Sequence, residues 1–338
     1  MLLIAELPKA SDVATRRRVH AHELRRFLIR RLATLLITLF LASVLVFWIL
    51  NILPGKPAQV ILGTQATPSA VAALTAKLGL NRPLVAQYLH WIHGLLTLHL
   101  GDSYISSQPI APVIGAALEV TGPLILGGLL VGLLIAVPLG IASAIRHTKR
   151  SGVVLSGLAQ VGIAIPNFVL GILLIIVFAV DLKVLPASGF TTWSTSVTGA
   201  LQSLILPAIS LGLVEGAILA RYIRTSVVEV LGADFLRTAR AKGLRPNQAL
   251  IRHGLRNASI PVLTVLGLEL SGLIIVAVVI EAVFTLPGLG SLLLSSVANR
   301  DLITVQDIVI LVAATVLVVN LIVDLLYRII DPRMGLRS

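Results

Sequence analysis

The chain has 338 residues, of which 57% are hydrophobic and only 12% charged, and its mean hydropathy is +0.98. Soluble domains carry about 25% charged residues, so this composition excludes a globular protein covered by water. The sequence has no cysteine, which excludes disulfides, thiolate nucleophiles and Cys-ligated metal sites. The formal net charge of +12 must then be explained by where the cations fall.

In chain order, residues 1–29 read as a basic cytoplasmic tail, residues 30–330 as an all-α polytopic membrane domain, and residues 331–338 as a short cytoplasmic end. Six apolar stretches fall near 30–53, 119–145, 152–180, 201–224, 262–284 and 308–330. Crossing the hydrocarbon takes about 20 helical residues at about 1.5 Å each. The stretches lack the alternation of a barrel strand, and lipid offers no hydrogen bonds to an unpaired backbone, so helix is the remaining option. The first stretch exceeds the apolar core of a signal peptide and lacks a small-x-small site before Pro54, so it reads as a span and not as a cleaved leader. Pro138, Pro166 and Pro207 lie within spans, and each is expected to kink its helix. Of the 27 Lys and Arg, 22 fall in alternate segments at 1–31, 146–151, 221–261 and 328–338, while Lys56, Lys77, Arg82, Lys183 and Arg300 fall in the others. Positive charge favours the cytoplasmic side, which puts 1–29 and 331–338 inside. The +12 thus reflects topology and not a nucleic-acid partner.

The external insertion 54–118 is too long for a simple turn. Thr67-Pro68 reads as an N-cap followed by proline at the first helical position, and Gly79 as a left-handed stop. A second helix starts at Asn81-Arg82-Pro83, with Val85, Leu89, Ile92 and Leu96 on one face. Such a cap either packs on the spans as scaffold, or lines an entrance or touches a partner protein. His90, His93 and His99 cluster here without an acidic helper or an HExxH pattern, so they read as solvated histidines and no metal is expected.

The cytoplasmic connection 225–261 carries the most information. Asp234-Phe235-Leu236-Arg237-Thr238-Ala239-Arg240-Ala241-Lys242-Gly243 reads as one short helix: Asp234 can cap or complement the N-terminal dipole, Lys242 suits the last turn, and Gly243 suits the stop. At about 13 Å it is far too short to cross. Phe235, Thr238 and Ala239 share one face, while Arg237, Arg240 and Lys242 project elsewhere. An aromatic with a basic rim, held off the membrane, suits a groove on another protein; the alternative is an ordinary solvated loop helix.

Residues 233–267 resemble the cytoplasmic loop of dipeptide and oligopeptide ABC importer permeases. That family's Glu-Ala-Ala motif maps onto Arg237-Thr238-Ala239, Gly243, His253 and Leu255. Arg237, Thr238, His253 and Arg256 depart from the general motif, but in the form used by the peptide branch. Further matching blocks are Leu53-Pro54-Gly55-Lys56-Pro57, Leu100-Gly101-Asp102-Ser103, Pro166-Asn167-Phe168, Leu185-Pro186-Ala187-Ser188-Gly189, Glu281-Ala282-Val283-Phe284 with Pro287-Gly288-Leu289-Gly290, Arg300-Asp301, Asp324-Leu325-Leu326-Tyr327 and Asp331-Pro332-Arg333. The resemblance implies a type I ABC importer permease-like (MetI-like) fold. It also implies a second permease subunit forming a heterodimer, two ATPase subunits docked on the helix at Asp234–Gly243, and an external substrate-binding protein. Peptide would be the substrate, with nickel chelates, haem or glutathione as alternatives.

No lysine stands in a GxxxxGK[ST] phosphate loop, so ATP and Mg would be bound by the ATPase subunits and this chain would hold no cofactor. A transport subunit is expected and not an enzyme. Charges inside spans are the remaining functional suspects: Glu215 and Glu269 could line the translocation pathway or form structural pairs. Glu215 and Arg221, six apart, share no helical face, whereas Asp324 and Arg328 are spaced for a local ion pair. Gly128/Gly132 and Gly212/Gly216 suit close helix approach. An ion-coupled secondary transporter is the rival reading, but it would have no use for a coupling helix.

Overall fold

A computed structural model describes the backbone of residues 10–52 and 57–330, with side chains for 25–52, 57–326 and 328. The blocks at 53–56 and 331–333, the 331–338 end, and the side chains of the tail before residue 25 lie outside the described residues.

Helix α1, Ala10–Ile52, carries the first apolar span over Arg25–Ile52. Short helices α2, Pro57–Leu62, α3, Pro68–Lys77, and α4, Leu84–Thr97, build the expected cap. Thr67 Oγ1 accepts from Ala70 N at 3.3 Å with Pro68 at the first helical position, and Gly79 has φ +70° just past the end of α3. Helix α5, Ile110–Ile145, is the second span. The third apolar stretch is two helices: α6, Arg150–Ala164, and α7, Asn167–Leu174, continued as a π-helix to Asp181, meet at 95°. Helix α8, Val197–Leu231, is the fourth span. The fifth includes α10, Pro246–Ala249, a π-turn at Leu250–Gly254, and α11, Leu255–Val283. Between α8 and α10 stands α9, Asp234–Ala241. Helix α12, Leu289–Ala298, precedes α13, Leu302–Ile330, the last span.

Three expectations change. Residues 152–180 are not one kinked helix: Pro166 supplies no N–H and forces Ile165 into an extended conformation (φ −88°, ψ 120°), so the chain turns. Pro138 and Pro207, by contrast, stay inside continuous helices. The 225–261 connection is mostly helical extension, because α8 runs on to Leu231 and helical backbone resumes at Pro246. On α4, Val85, Leu89 and Leu96 are 60–80% exposed. Its packed side is Tyr88, Trp91, Ile92 and Leu95, set against Phe47 of α1 and Ile310 of α13. A face that is apolar in sequence does not reveal whether protein or lipid covers it, since the two solvents are similarly apolar.

Helix α8 is the axis of the molecule: 72% of its most apolar window is buried, against 11% for α1 and for α13. It runs parallel to α5, as the contacts of Gly128 with Leu211, Gly132 with Glu215 and Gly140 with Ile223 show. A Cβ on Gly212 would lie 2.5 Å from Gly128 O, and one on Gly216 would lie 2.9 Å from Gly132 O. The expected glycine seam is therefore the place where the two backbones touch. Apolar clusters lie on both halves of α8. One contains Leu124, Leu211, Ala277 and Phe284, the other Ala136, Leu219, Ile223 and Leu250.

Candidate functional site

Helix α8, at 35 residues, is about 53 Å long, well beyond the roughly 30 Å hydrocarbon core. Its surplus, with the early turns of the fifth span, forms a two-stranded helical stalk that carries α9 beyond the apolar region. Leu236 of α9 is 1% exposed and points back into this stalk. A Cβ on Gly254 would meet Leu250, Val230 and Leu236, which identifies the side chains closing that seat. The adjacent residue, Phe235, is 42% exposed and Ala239 is half-buried.

The ends of α9 follow local chemistry. Its N-cap is Ala233, not Asp234; Ala233 is extended (φ −72°, ψ 144°) and its carbonyl accepts from Leu236 N and Arg237 N. Asp234 instead occupies the first turn, where a carboxylate complements the dipole, and Thr238 Oγ1 donates to its carbonyl at 3.0 Å. At the other end Lys242 is the C-cap and Gly243 has φ +91°. Gly243 N donates to Arg240 O and Leu244 N to Ala239 O, the two bonds of a Schellman stop. The basic rim is narrower than the sequence suggests. Arg240 Nη2 donates to Leu231 O at 2.9 Å and Nε to Leu236 O at 3.3 Å, so it ties α9 to the end of α8. Arg237 makes an exposed pair with Asp234 at 3.5 Å. Exposed Ala241, Lys242 and Gly243 complete the tip.

Within the bundle, Glu215 on α8 is 6% exposed beside Gly132, and its Oε1 has no hydrogen-bond partner. Glu269 on α11 lies within electrostatic reach of both Glu215 and Arg221 of α8. Arg221 also lies over the Tyr222 ring, 5.3 Å from its centroid. Asp324 does not pair with Arg328. It meets Arg31 of α1 at 3.1 Å, while Arg328 lies over the Phe27 ring at 4.8 Å. The helices α1 and α13 run side by side, and the ion pair forms across them instead of along one.

Sequence reasoning did not assign roles to three other carboxylates. Glu281, fully buried at the end of α11, accepts from Thr121 Oγ1, Gly290 N at 2.7 Å and Ser291 N at 3.1 Å. It caps the first turn of α12 from outside. Asp301 accepts from Ser103 Oγ, Tyr104 N and Thr304 Oγ1 at 2.6–3.0 Å, joining the Leu100–Ser103 and Arg300–Asp301 blocks. Asp307 accepts from Trp91 Nε1 at 2.8 Å and fastens α4 to α13. The motif blocks gave Glu281 and Asp301 a place in the chain but no partner, and nothing in the sequence linked Trp91 to Asp307. His90, His93 and His99 line one cavity of about 280 Å³. Among the described residues no group of three or more His, Cys, Asp or Glu is placed to hold a metal.

Residues 136–336 match the family described as binding-protein-dependent transport system inner membrane component, and residues 24–125 match the N-terminal part of such membrane components. The chain belongs to this family. It is an integral membrane permease subunit of an ABC import system, with the all-helical type I (MetI-like) architecture. Such a component implies an ATPase and a binding protein in the same system. The permease is 38% identical over 306 residues to the glutathione transport system permease protein GsiC of Escherichia coli (strain K12), covering 90% of this chain and 97% of that one. The GsiC protein of Salmonella typhi aligns with the same identity and coverage. The probable peptide ABC transporter permease protein y4tP of Sinorhizobium fredii is 35% identical over 308 residues, 91% of this chain and 98% of that one.

Proposed function

We propose that this permease forms half of a translocation pathway for short peptides, glutathione among them, completed by a second permease subunit of similar fold. Two ATPase subunits supply ATP hydrolysis with their own ATP and Mg, and the permease acts as a transport subunit without chemistry of its own. The observation that carries this reading is the construction of α9. Leu236 and Arg240 clamp it to the stalk while Phe235 and Ala239 remain available, so a push on the outer face is transmitted through α8 and the fifth span. ATP-driven closure of the ATPases would then move α9 and switch the bundle between access states.

The charge bias of the loops supports cytoplasmic placement of α9, residues 1–29 and 331–338, with the 54–118 insertion facing outward toward the binding protein. Glu215 and Glu269 are the side chains proposed to meet a peptide amine, supported by the unpartnered Glu215 oxygen deep in the bundle. Glutathione and peptide enter as substrates through the names of the relatives. Nickel chelates and haem remain the alternatives within the family.

The test is purification from the native host in mild detergent, with co-purifying chains identified by mass spectrometry. Two P-loop ATPases and a second six-span permease are expected. A chain that purifies alone, stable and complete, overturns the coupling role and favours an ion-coupled transporter.

A further inference from the structure

A cavity of about 600 Å³ opens where α1, the α2–α4 cap and the start of α13 meet. The described part of the α1 span reaches Ile52, two residues before Pro54 in the sequence, and the span of α13 begins at Leu302. Asn51 and Leu302 both line the cavity, which sets it at the level where the two helices leave the hydrocarbon. Lys77, Arg82 and His90 line it, and among the described residues no Asp or Glu does. Among the described residues neither Lys77 nor Arg82 has a carboxylate within ion-pair distance. Only five of the chain's 27 Lys and Arg fall on this side in the charge count, and two of them share this one cavity.

The rest of the lining mixes polar side chains, Asn51, Thr75, Gln87, Tyr104 and Gln306, with apolar ones such as Leu50, Pro57, Leu84 and Leu302. The neighbouring surface of α1 is apolar: Trp48, Ile49 and Ile52 are more than half exposed. Helix α4 presents three faces: Tyr88, Ile92 and Leu95 pack on protein, Gln87, His90 and Trp91 line the cavity, and Val85, Leu89 and Leu96 are left uncovered. A helix with an uncovered apolar stripe at the end of a span suits burial in the membrane interface. Cations that have no carboxylate partner among the described residues, beside apolar surface continuous with a lipid-facing helix, match an amphiphile with an anionic head.

We propose that this cavity binds the headgroup of an anionic phospholipid, its phosphate between Lys77 and Arg82 and its acyl chains along the exposed side of α1. The site is separate from α9 and does not depend on the coupling role. The probe is phosphatidylglycerol, with phosphatidylcholine as the comparison lipid, added to the purified complete complex and read by native mass spectrometry. Retention of phosphatidylglycerol should exceed that of phosphatidylcholine by about tenfold or more, as two interfacial cations supply. The double variant Lys77→Gln/Arg82→Gln should lose this preference, and Lys77→Arg/Arg82→Lys should keep it. If the Gln variant fails to assemble, short-chain phosphatidylglycerol titrated into the unsubstituted complex should change Trp91 fluorescence, with Trp91→Phe as the reference. Equal retention of both lipids, an unchanged preference in the Gln variant, or no Trp91 response would overturn the proposal. Occupation by inorganic phosphate or a dipeptide as readily as by the lipid would also overturn it and give the cavity to a soluble anion.

Discussion

Asp301 shows how one side chain can organise a surface far along the chain from itself. Its carboxylate gathers three donors, two of them from residues about 200 positions earlier, and holds Tyr104 against the start of α13. Burial, and then the charges of Asp301 and Asp307, push the Tyr104 phenol up to about 12 from the usual 10. A raised folded-state value means that the folded protein holds this proton more tightly. The associated stability is fully present below pH 10 and is lost as pH rises through about 12. A tyrosinate absorbance titration should therefore contain a component near pH 12 that is missing from Tyr104→Phe. An unchanged curve would refute the placement. Glu281 works on the same principle inside the bundle. Glu281→Ala strands two backbone N–H groups at the start of α12 and the Thr121 hydroxyl, at about 1–3 kcal/mol for each buried donor left unmade. Its melting temperature in detergent should fall well below that of the unsubstituted protein.

At the scale of the element, α9 separates two kinds of residue that are adjacent in sequence. Leu236 holds the helix to its stalk and Phe235 faces away. Leu236→Ala should cost about 2–5 kcal/mol of local stability, seen as faster hydrogen exchange over residues 234–243. Phe235→Asp or Ala239→Asp should leave that exchange unchanged while releasing the ATPases during purification and stopping transport. If both classes of variant behave alike, the division between seat and docking face is wrong. The stop at Gly243 and the acid at Asp234 were legible because they are local: one needs positive φ, the other a free helix N-terminus. The clamp by Arg240 was not legible, since a basic residue on a short helix has the same sequence signature whether it faces solvent or bonds a carbonyl.

For the whole molecule, the α5–α8 seam decides the architecture. Lipid gives helices no hydrophobic reason to associate, so close backbone approach must supply the packing. Gly212→Val would drive side-chain atoms into Gly128 O and Val131. The protein should then elute as aggregate on size exclusion, whereas Gly157→Ala, where an added Cβ meets nothing within 4 Å, should elute normally. Equal behaviour of the two variants would show that the seam does not hold the bundle.

The sequence by itself determined that the chain crosses a membrane, roughly where each crossing lies, and that a short helix stands between the fourth and fifth. Those features depend on runs of about 20 apolar residues, on capping chemistry and on glycine, all of which are local. Its motif blocks also carried the family resemblance. Only the tertiary structure decided that the third apolar stretch breaks at Pro166 while Pro138 and Pro207 are absorbed. It alone decided that Asp324 reaches Arg31, 293 positions away, and which side of α4 is covered. These outcomes depend on which helices become neighbours. A pattern of apolar residues cannot encode that choice, because protein interior and lipid reward the same side chains.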